Sequence, residues 1–228
     1  MSSQKNDTSR IRAILFDFDS TLGNRLNYSY CAVRRILEEN TGVRDPYQLE
    51  DMAQTVLQWD QSGIYKRPQL LKRMNEEFGM HVPCEGEEAL HYWLDIQDSY
   101  VSLLPGTVET LTRLKRHYRL GCVTDGLDQY QRMKIERAGI RPLFEVIVTS
   151  EEAGSEKPSP VIFRKALAEL GMPPEETAYV GDLYHRDVMG AVGIGMMPIW
   201  IQPYGTVPYR ADVTVIHRLD ELLELFPK

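Results

Sequence analysis

Residues 14–22 read "ILFDFDSTL". A short apolar run ends in two carboxylates, Asp17 and Asp19, followed by Thr21. In an extended strand, residues i and i+2 point to the same face, so the two acids would repel each other where a buried strand comes out. A purely structural role gives little reason for this arrangement. The pair asks for a neutralising charge and for a use.

Working outward, five further apolar runs read as strands: "RLGCVT" (119–124), "EVIVTS" (145–150), "AYVGD" (178–182), "MPIWI" (197–201) and "DVTVI" (212–216). With "AILFD" (13–17) they make six. β-Branched and aromatic content with little strict alternation suits strands buried on both faces. Helical patterns lie between them. In "SPVIFRKALAELG", Phe163, Ala166, Leu167 and Leu170 share a face, with Pro160 near the start and Gly171 just past the end. "DQYQRMKIERAG" offers Asp128 as a cap and stops at Gly139. Strands alternating with helices predict an α/β domain with a mostly parallel sheet in three layers, α/β/α.

Residues 23–102 differ. Helical patterns run over roughly 28–40, 47–60, 67–79 and 86–102, punctuated by Pro46, Gly63, Pro68 and Gly79 to Pro83. The expectation is a helical insert after the first strand. The α/β core is then discontinuous, built from 1–22 and 103–228. The segment 22–102 carries eight lysines and arginines against thirteen acids, so its cluster Lys66, Arg67, Lys72 and Arg73 reads as a solvated helix face. Trp59, Tyr65, Tyr92 and Trp93 read as packing between the helices.

Of the 228 residues, 43% are apolar and 26% charged, as in ordinary globular proteins. The formal net charge of −7 argues against nucleic acid or an anionic membrane as the main partner. Cys31, Cys84 and Cys122 are odd in number and widely spaced, against both a disulfide framework and a zinc site. The polar start "MSSQKNDTSRIR" lacks a signal-peptide pattern and no apolar run approaches a membrane span. A cytoplasmic protein is expected; the sequence is silent on oligomeric state.

In open parallel sheets, ligands bind outside the carboxyl ends of the strands. There stand Asp17, Asp19 and Thr21; Thr124, Asp125 and Gly126; Lys157 and Pro158; and Asp182 with Asp187 five residues on. Taken in order, "DFDST", "VTDG", "KP" and "GDLYHRD" resemble the four motifs of the haloacid dehalogenase (HAD) superfamily. The helical insert resembles the C1-type cap of its subfamily I. The resemblance spans essentially the whole chain. Ser20 stands where glycine is more usual, and the loop "LYHR" is bulkier than the small polar residues often found there. The roles of Tyr184, His185 and Arg186, in the site or facing solvent, stay open on the sequence; a lone histidine such as His185 reads as structural or exposed.

The resemblance implies a Mg²⁺-dependent phosphatase acting on a small phosphorylated metabolite through an aspartyl phosphate. Asp17 is then the nucleophile. An anion attacking a phosphate meets repulsion of about 4 kcal/mol at 4 Å and an effective dielectric of 20, roughly a thousandfold in rate. A divalent cation offsets this. Asp17 and Asp182 are the implied side-chain ligands and Asp19 contributes its backbone carbonyl. The Asp19 carboxylate is left to protonate the departing oxygen and then to take a proton from water. Thr124, Asp125, Gly126 and Lys157 are implied to hold the phosphoryl oxygens, and Asp187 to orient metal-bound water or its neighbours. The same fold also carries phosphomutases, haloacid dehalogenases that lack the second acid and need no metal, and non-catalytic modules. The phosphomutase alternative stays open on these residues.

Overall fold

A computed structural model describes residues 8–63, 65–203 and 213–227, with the side chain of residue 62 outside the description. The chain folds into two compact units, Met1–Gly23 with Leu103–Lys228, and Asn24–Ser102.

The first unit holds a six-stranded sheet, β1 (Ala13–Phe16), β2 (Arg119–Thr124), β3 (Val146–Thr149), β4 (Thr177–Gly181), β5 (Met197–Ile201) and β6 (Thr214–Ile216). The order is β3-β2-β1-β4-β5-β6 and every neighbouring pair is parallel. Asp212, which the sequence reading puts at the start of the last strand, lies outside the described residues. All four residues of β1 are fully buried, which explains its unbroken apolar run. Ala13 and Leu15 face Ile162, Phe163, Ala166 and Leu167 of α8 (Pro160–Leu170). Phe16, on the opposite face, meets the Phe144 ring with centroids 6.4 Å apart. Gly121 stands within β2, paired with Leu15 on one side and Val146 on the other. A Cβ there would lie 2.7 Å from both side chains.

Local chemistry sets the helices. Ser159 caps α8 by accepting the Val161 N–H, Pro160 takes the first position, and Gly171 ends it at φ 63°. Burying Phe163, Leu167 and Leu170 contributes about 1.5–3 kcal/mol each. α6 (Asp128–Arg137) corrects an expectation. Asp128 is its first helical residue, and Leu127 occupies the cap position without a capping side chain. The Asp128 N–H donates to Glu151 Oε2 at 2.7 Å, while its own carboxylate accepts from Arg132 and Thr149. A distant acid thus does the capping. The unit is completed by α5 (Thr107–Leu114), α7 (Ser150–Ala153), α9 (Met189–Ile194) and α10 (Leu222–Leu225).

The second unit is helical: α1 (Arg25–Asn40), α2 (Pro46–Asp60), α3 (Arg67–Phe78) and α4 (Gly86–Asp98). α4 ends four residues earlier than its pattern predicts, in a turn where Tyr100 N–H donates to Gln97 O. Val33, Ile36, Val56, Leu70, Met74 and Trp93 form its core. The aromatics pack: Trp93 is fully buried, and Trp59 stacks on Phe78 at 5.7 Å. Of the basic cluster, Arg67 lies 4.4 Å over the Trp93 ring and Arg73 4.0 Å over Trp59. Both are part of the packing rather than a solvated face. Asp60, buried, takes salt bridges from Arg25 at 2.7 Å and from Arg67. No helix among the described residues is long and apolar enough to cross a membrane.

Candidate active site

From β1 the sheet order runs outward to β2 and β3 on one side and to β4, β5 and β6 on the other. Such a reversal opens a crevice at the strand ends, and β1 delivers Asp17 to it. The Asp17 N–H donates to Val180 O at 2.9 Å, so the residue continues the pairing with β4. Beyond it the chain turns sharply. The N–H groups of Leu22 and Gly23 both donate to Phe18 O, at 3.0 and 2.8 Å. Ser20 adopts φ 60°, a left-handed conformation that explains the usual glycine at this position.

The turn separates the two acids, and each has its own ammonium. Lys157 Nζ lies 2.8 Å from Asp17 Oδ1. Lys134 Nζ lies 2.6 Å from both Asp19 oxygens. Lys157 Nζ also donates to Asp187 Oδ1 at 2.7 Å and reaches the Tyr179 hydroxyl at 3.3 Å. An ammonium has three N–H donors, so Asp17, Asp187 and Tyr179 account for all of them.

Asp182 follows β4, and its carbonyl accepts from Trp200 Nε1 at 2.8 Å. A π-helical turn, Tyr184–Val188, then carries Asp187 back against the strand end. Gly181 makes room: a Cβ there would lie 2.3 Å from Asp187 Cγ. One carboxylate oxygen from each of Asp17, Asp182 and Asp187 lies within 4.8 Å of the others. Asp187 Oδ1 accepts from Lys157 and Tyr179, and Oδ2 accepts the Leu183 N–H.

At the end of β2, the buried hydroxyl of Thr124 has no hydrogen-bond partner among the described residues, and neither has that of Thr21. Asp125 ties two loops together, accepting the Lys157 N–H at 2.9 Å and Arg186 Nη1 at 2.8 Å. Gly126, at φ 138°, donates its N–H to Ser150 Oγ at 2.9 Å. His185 is exposed. Cys122 is buried, and burial raises its thiol well above the usual range.

Burial pushes the Asp17 carboxyl up to about 7, against the opposing pull of Lys157 and with Asp187 adding to the rise. Burial likewise lifts Asp182 well above the usual carboxylate range, helped by Asp17 and Asp187. For Lys157, burial works against the charge, yet Asp17 and Asp187 reverse this and hold the ammonium well above its ordinary value. Three carboxylates face one ammonium here, two positive charges short of balance. The donors are all hard oxygens, the set that suits Mg²⁺. By donor type and by charge, the residues fit one divalent cation.

Lys134, Gln131 and Tyr179 were not singled out by their sequence. Tyr179 reads as one more apolar residue of a buried strand. Gln131 and Lys134, at i and i+3 on α6, carry a signal in hindsight. The helix follows the "VTDG" motif directly and buries two polar residues on one face.

A profile of the haloacid dehalogenase-like hydrolases matches residues 14–201. The chain belongs to this family. It is 31% identical to glyceraldehyde 3-phosphate phosphatase of Pyrococcus furiosus, over 96% of this chain and 94% of that protein. It is 27% identical to N-acylneuraminate-9-phosphatase of Homo sapiens, over 95% and 93%. Its fold resembles the crystal structure of magnesium-bound YfnB from Bacillus subtilis, with a TM-score of 0.78 at 22% identity over 96% of this chain and all of that one. The parallel six-stranded sheet is that of a Rossmann-like HAD hydrolase.

Proposed function

We propose that this HAD hydrolase is a Mg²⁺-dependent, cytoplasmic phosphatase of a small phosphorylated metabolite, working through an aspartyl phosphate on Asp17. The observation that carries the reading is the charge imbalance of the buried Asp17, Asp182 and Asp187 around Lys157. The relatives named as phosphatases of small phosphorylated metabolites support it.

Each residue has a role on this reading. Lys157 holds the Asp17 carboxylate for attack on phosphorus. The new O–P bond forms as the bond to the leaving oxygen breaks, and Asp19 delivers a proton to that oxygen. Asp19 then takes a proton from the water that cleaves the aspartyl phosphate. The Thr124 hydroxyl, buried without a partner among the described residues, donates to a phosphoryl oxygen, aided by the backbone N–H of Asp125, whereas the Gly126 N–H is taken by Ser150. Lys157 has its donors on protein groups, so it acts on the phosphoryl group mainly by charge. Asp17 and Asp182, with the Asp19 carbonyl, would hold Mg²⁺. Asp187 has both oxygens occupied by protein donors and so steadies Lys157 and the loop at Leu183. When bound, Mg²⁺ offsets the repulsion between nucleophile and phosphate. Residues 1–22 with 103–228 form the catalytic domain on this reading, and 23–102 the cap domain.

The test is a panel of phosphorylated metabolites assayed with Mg²⁺ and with chelator, ranked by kcat/KM. Metal-dependent release of phosphate that Asp17→Asn abolishes is expected. Near-normal turnover by Asp17→Asn refutes the mechanism. A substrate that is isomerised instead of hydrolysed points to a phosphomutase.

A further inference from the structure

Lys134 lies outside every motif, on α6, yet is only 6% exposed. A buried ammonium is tolerated when paired. Its Nζ is 2.6 Å from both oxygens of Asp19 and 5.2 Å from the centre of the Phe18 ring. One turn earlier on the helix, Gln131 Nε2 donates to Asp125 O at 2.7 Å and reaches Asp19 Oδ2 at 3.3 Å. Its Oε1 is buried without a partner among the described residues. The amide orientation is nonetheless fixed, because turning it over would set oxygen against the Asp125 carbonyl and the Asp19 carboxylate. Gly126 permits this approach, since a Cβ there would lie 2.5 Å from Gln131 Nε2.

We propose that Lys134 is a positioning residue that fixes the Asp19 carboxylate for proton transfer to the leaving group. The inference rests on the phosphatase reading above and deepens it. Asp19 stands on a tight turn, and a two-point contact from a buried ammonium holds the carboxylate plane. Gln131 couples the same helix face to the loop at Asp125. In the reaction the proton leaves Asp19 for the departing oxygen and is replaced from the attacking water. Lys134 keeps its three protons throughout.

The test compares Lys134→Met and Lys134→Arg on two substrates with Mg²⁺. p-Nitrophenyl phosphate has a leaving group that needs little protonation; glycerol phosphate, an alkyl ester, needs a full proton. Misplacing a catalytic group costs about a hundredfold, so Lys134→Met is expected to lose about that in kcat on glycerol phosphate. On the aryl ester the pre-steady-state burst of p-nitrophenol, which reports phosphoenzyme formation alone, is expected to slow by less than about fivefold, because general acid catalysis contributes little there; the later hydrolysis, where Asp19 acts as base, is common to both esters. KM moves little on either, and Lys134→Arg recovers most of the alkyl activity. In an Asp19→Asn background, Lys134→Met causes no further loss on the aryl ester. A p-nitrophenol burst slowed as much as glycerol phosphate turnover, or an additive loss in that background, overturns the proposal and leaves Lys134 a structural residue. Where Lys134→Met does not fold by circular dichroism, Lys134→Gln carries the same comparison. A wild-type protein inert on both esters refutes the phosphatase reading itself, an outcome distinct from a working enzyme whose Lys134 variants slow the burst and the glycerol phosphate turnover alike.

Discussion

Asp60 in the helical unit and Asp17 in the sheet unit are both buried aspartates, 2% and 5% exposed, yet they shift in opposite directions. Burial alone would raise Asp60, but the Arg67 and Arg25 guanidiniums pull it below its ordinary value of 3.8. Asp17 has one ammonium, shared with Asp187 and crowded by Asp182, and burial carries it to about 7. The difference is the number of cations per carboxylate. Around Asp60 the charges are more than matched from within the protein, as a structural site requires. Around Asp17 they are not, and such uncompensated local conflict marks functional sites.

The largest expected effect breaks the catalytic side of this comparison. Asp17→Asn should lower kcat by about ten-thousandfold or more, measured as phosphate release at saturating substrate. Lys157→Met comes next. It removes the ammonium that the carboxylates share, with an expected loss of about a thousandfold in kcat and about 3–5 kcal/mol of stability, because buried anions are left unpaired. Denaturant titration of the metal-free protein checks the second figure, and a variant as stable as wild type contradicts it.

Asp60→Asn tests the structural side. It leaves two guanidiniums facing a neutral amide and should destabilise by about 3–5 kcal/mol, read as a lower midpoint in urea. The pH dependences sharpen the contrast. A carboxyl depressed in the fold contributes stability above its unfolded pKa and loses it as pH falls through the folded value. Wild type should therefore weaken below about pH 4 more steeply than Asp60→Asn. A carboxyl raised in the fold does the reverse: its contribution is present below 3.8 and is lost as pH rises through about 7. Metal-free protein should thus lose stability between pH 4 and pH 8, and thermal melts across that range check the sign.

The smallest effect concerns the turn between the two acids. Ser20→Gly relieves the left-handed conformation at φ 60° at some cost in unfolded-chain entropy, for a net change within about 1 kcal/mol.

These contrasts also mark what a sequence can carry. β2 and β5 have the limits that their apolar runs predict, because burial on both faces leaves a continuous hydrophobic signature. Asp17, Thr124 and Asp182 could be placed at strand ends, and Lys157 in the loop past α7, because each lies in a motif written in a few adjacent residues. The Lys134–Asp19 pair spans 115 positions in sequence and the Tyr179 hydroxyl meets a lysine 22 residues away. Neither is written in any window, so only the fold reveals them. Asp128 fails for a related reason. Its cap pattern was locally sound, but Glu151, in the first turn of α7, satisfies the helix end instead. Arg186 belongs with these, a loop residue whose partner Asp125 sits on another strand end.

The most direct measurement is the thermal midpoint at pH 8 as Mg²⁺ is added to chelated protein, wild type beside Asp182→Asn. The account predicts that wild type rises with metal concentration, as binding to the folded state requires. It further predicts that Asp182→Asn starts higher than metal-free wild type, relieved of one buried anion, and responds weakly or not at all. A wild-type midpoint indifferent to Mg²⁺, or a variant that rises as steeply as wild type, would contradict the claim that the carboxylates around Lys157 are built to receive a divalent cation.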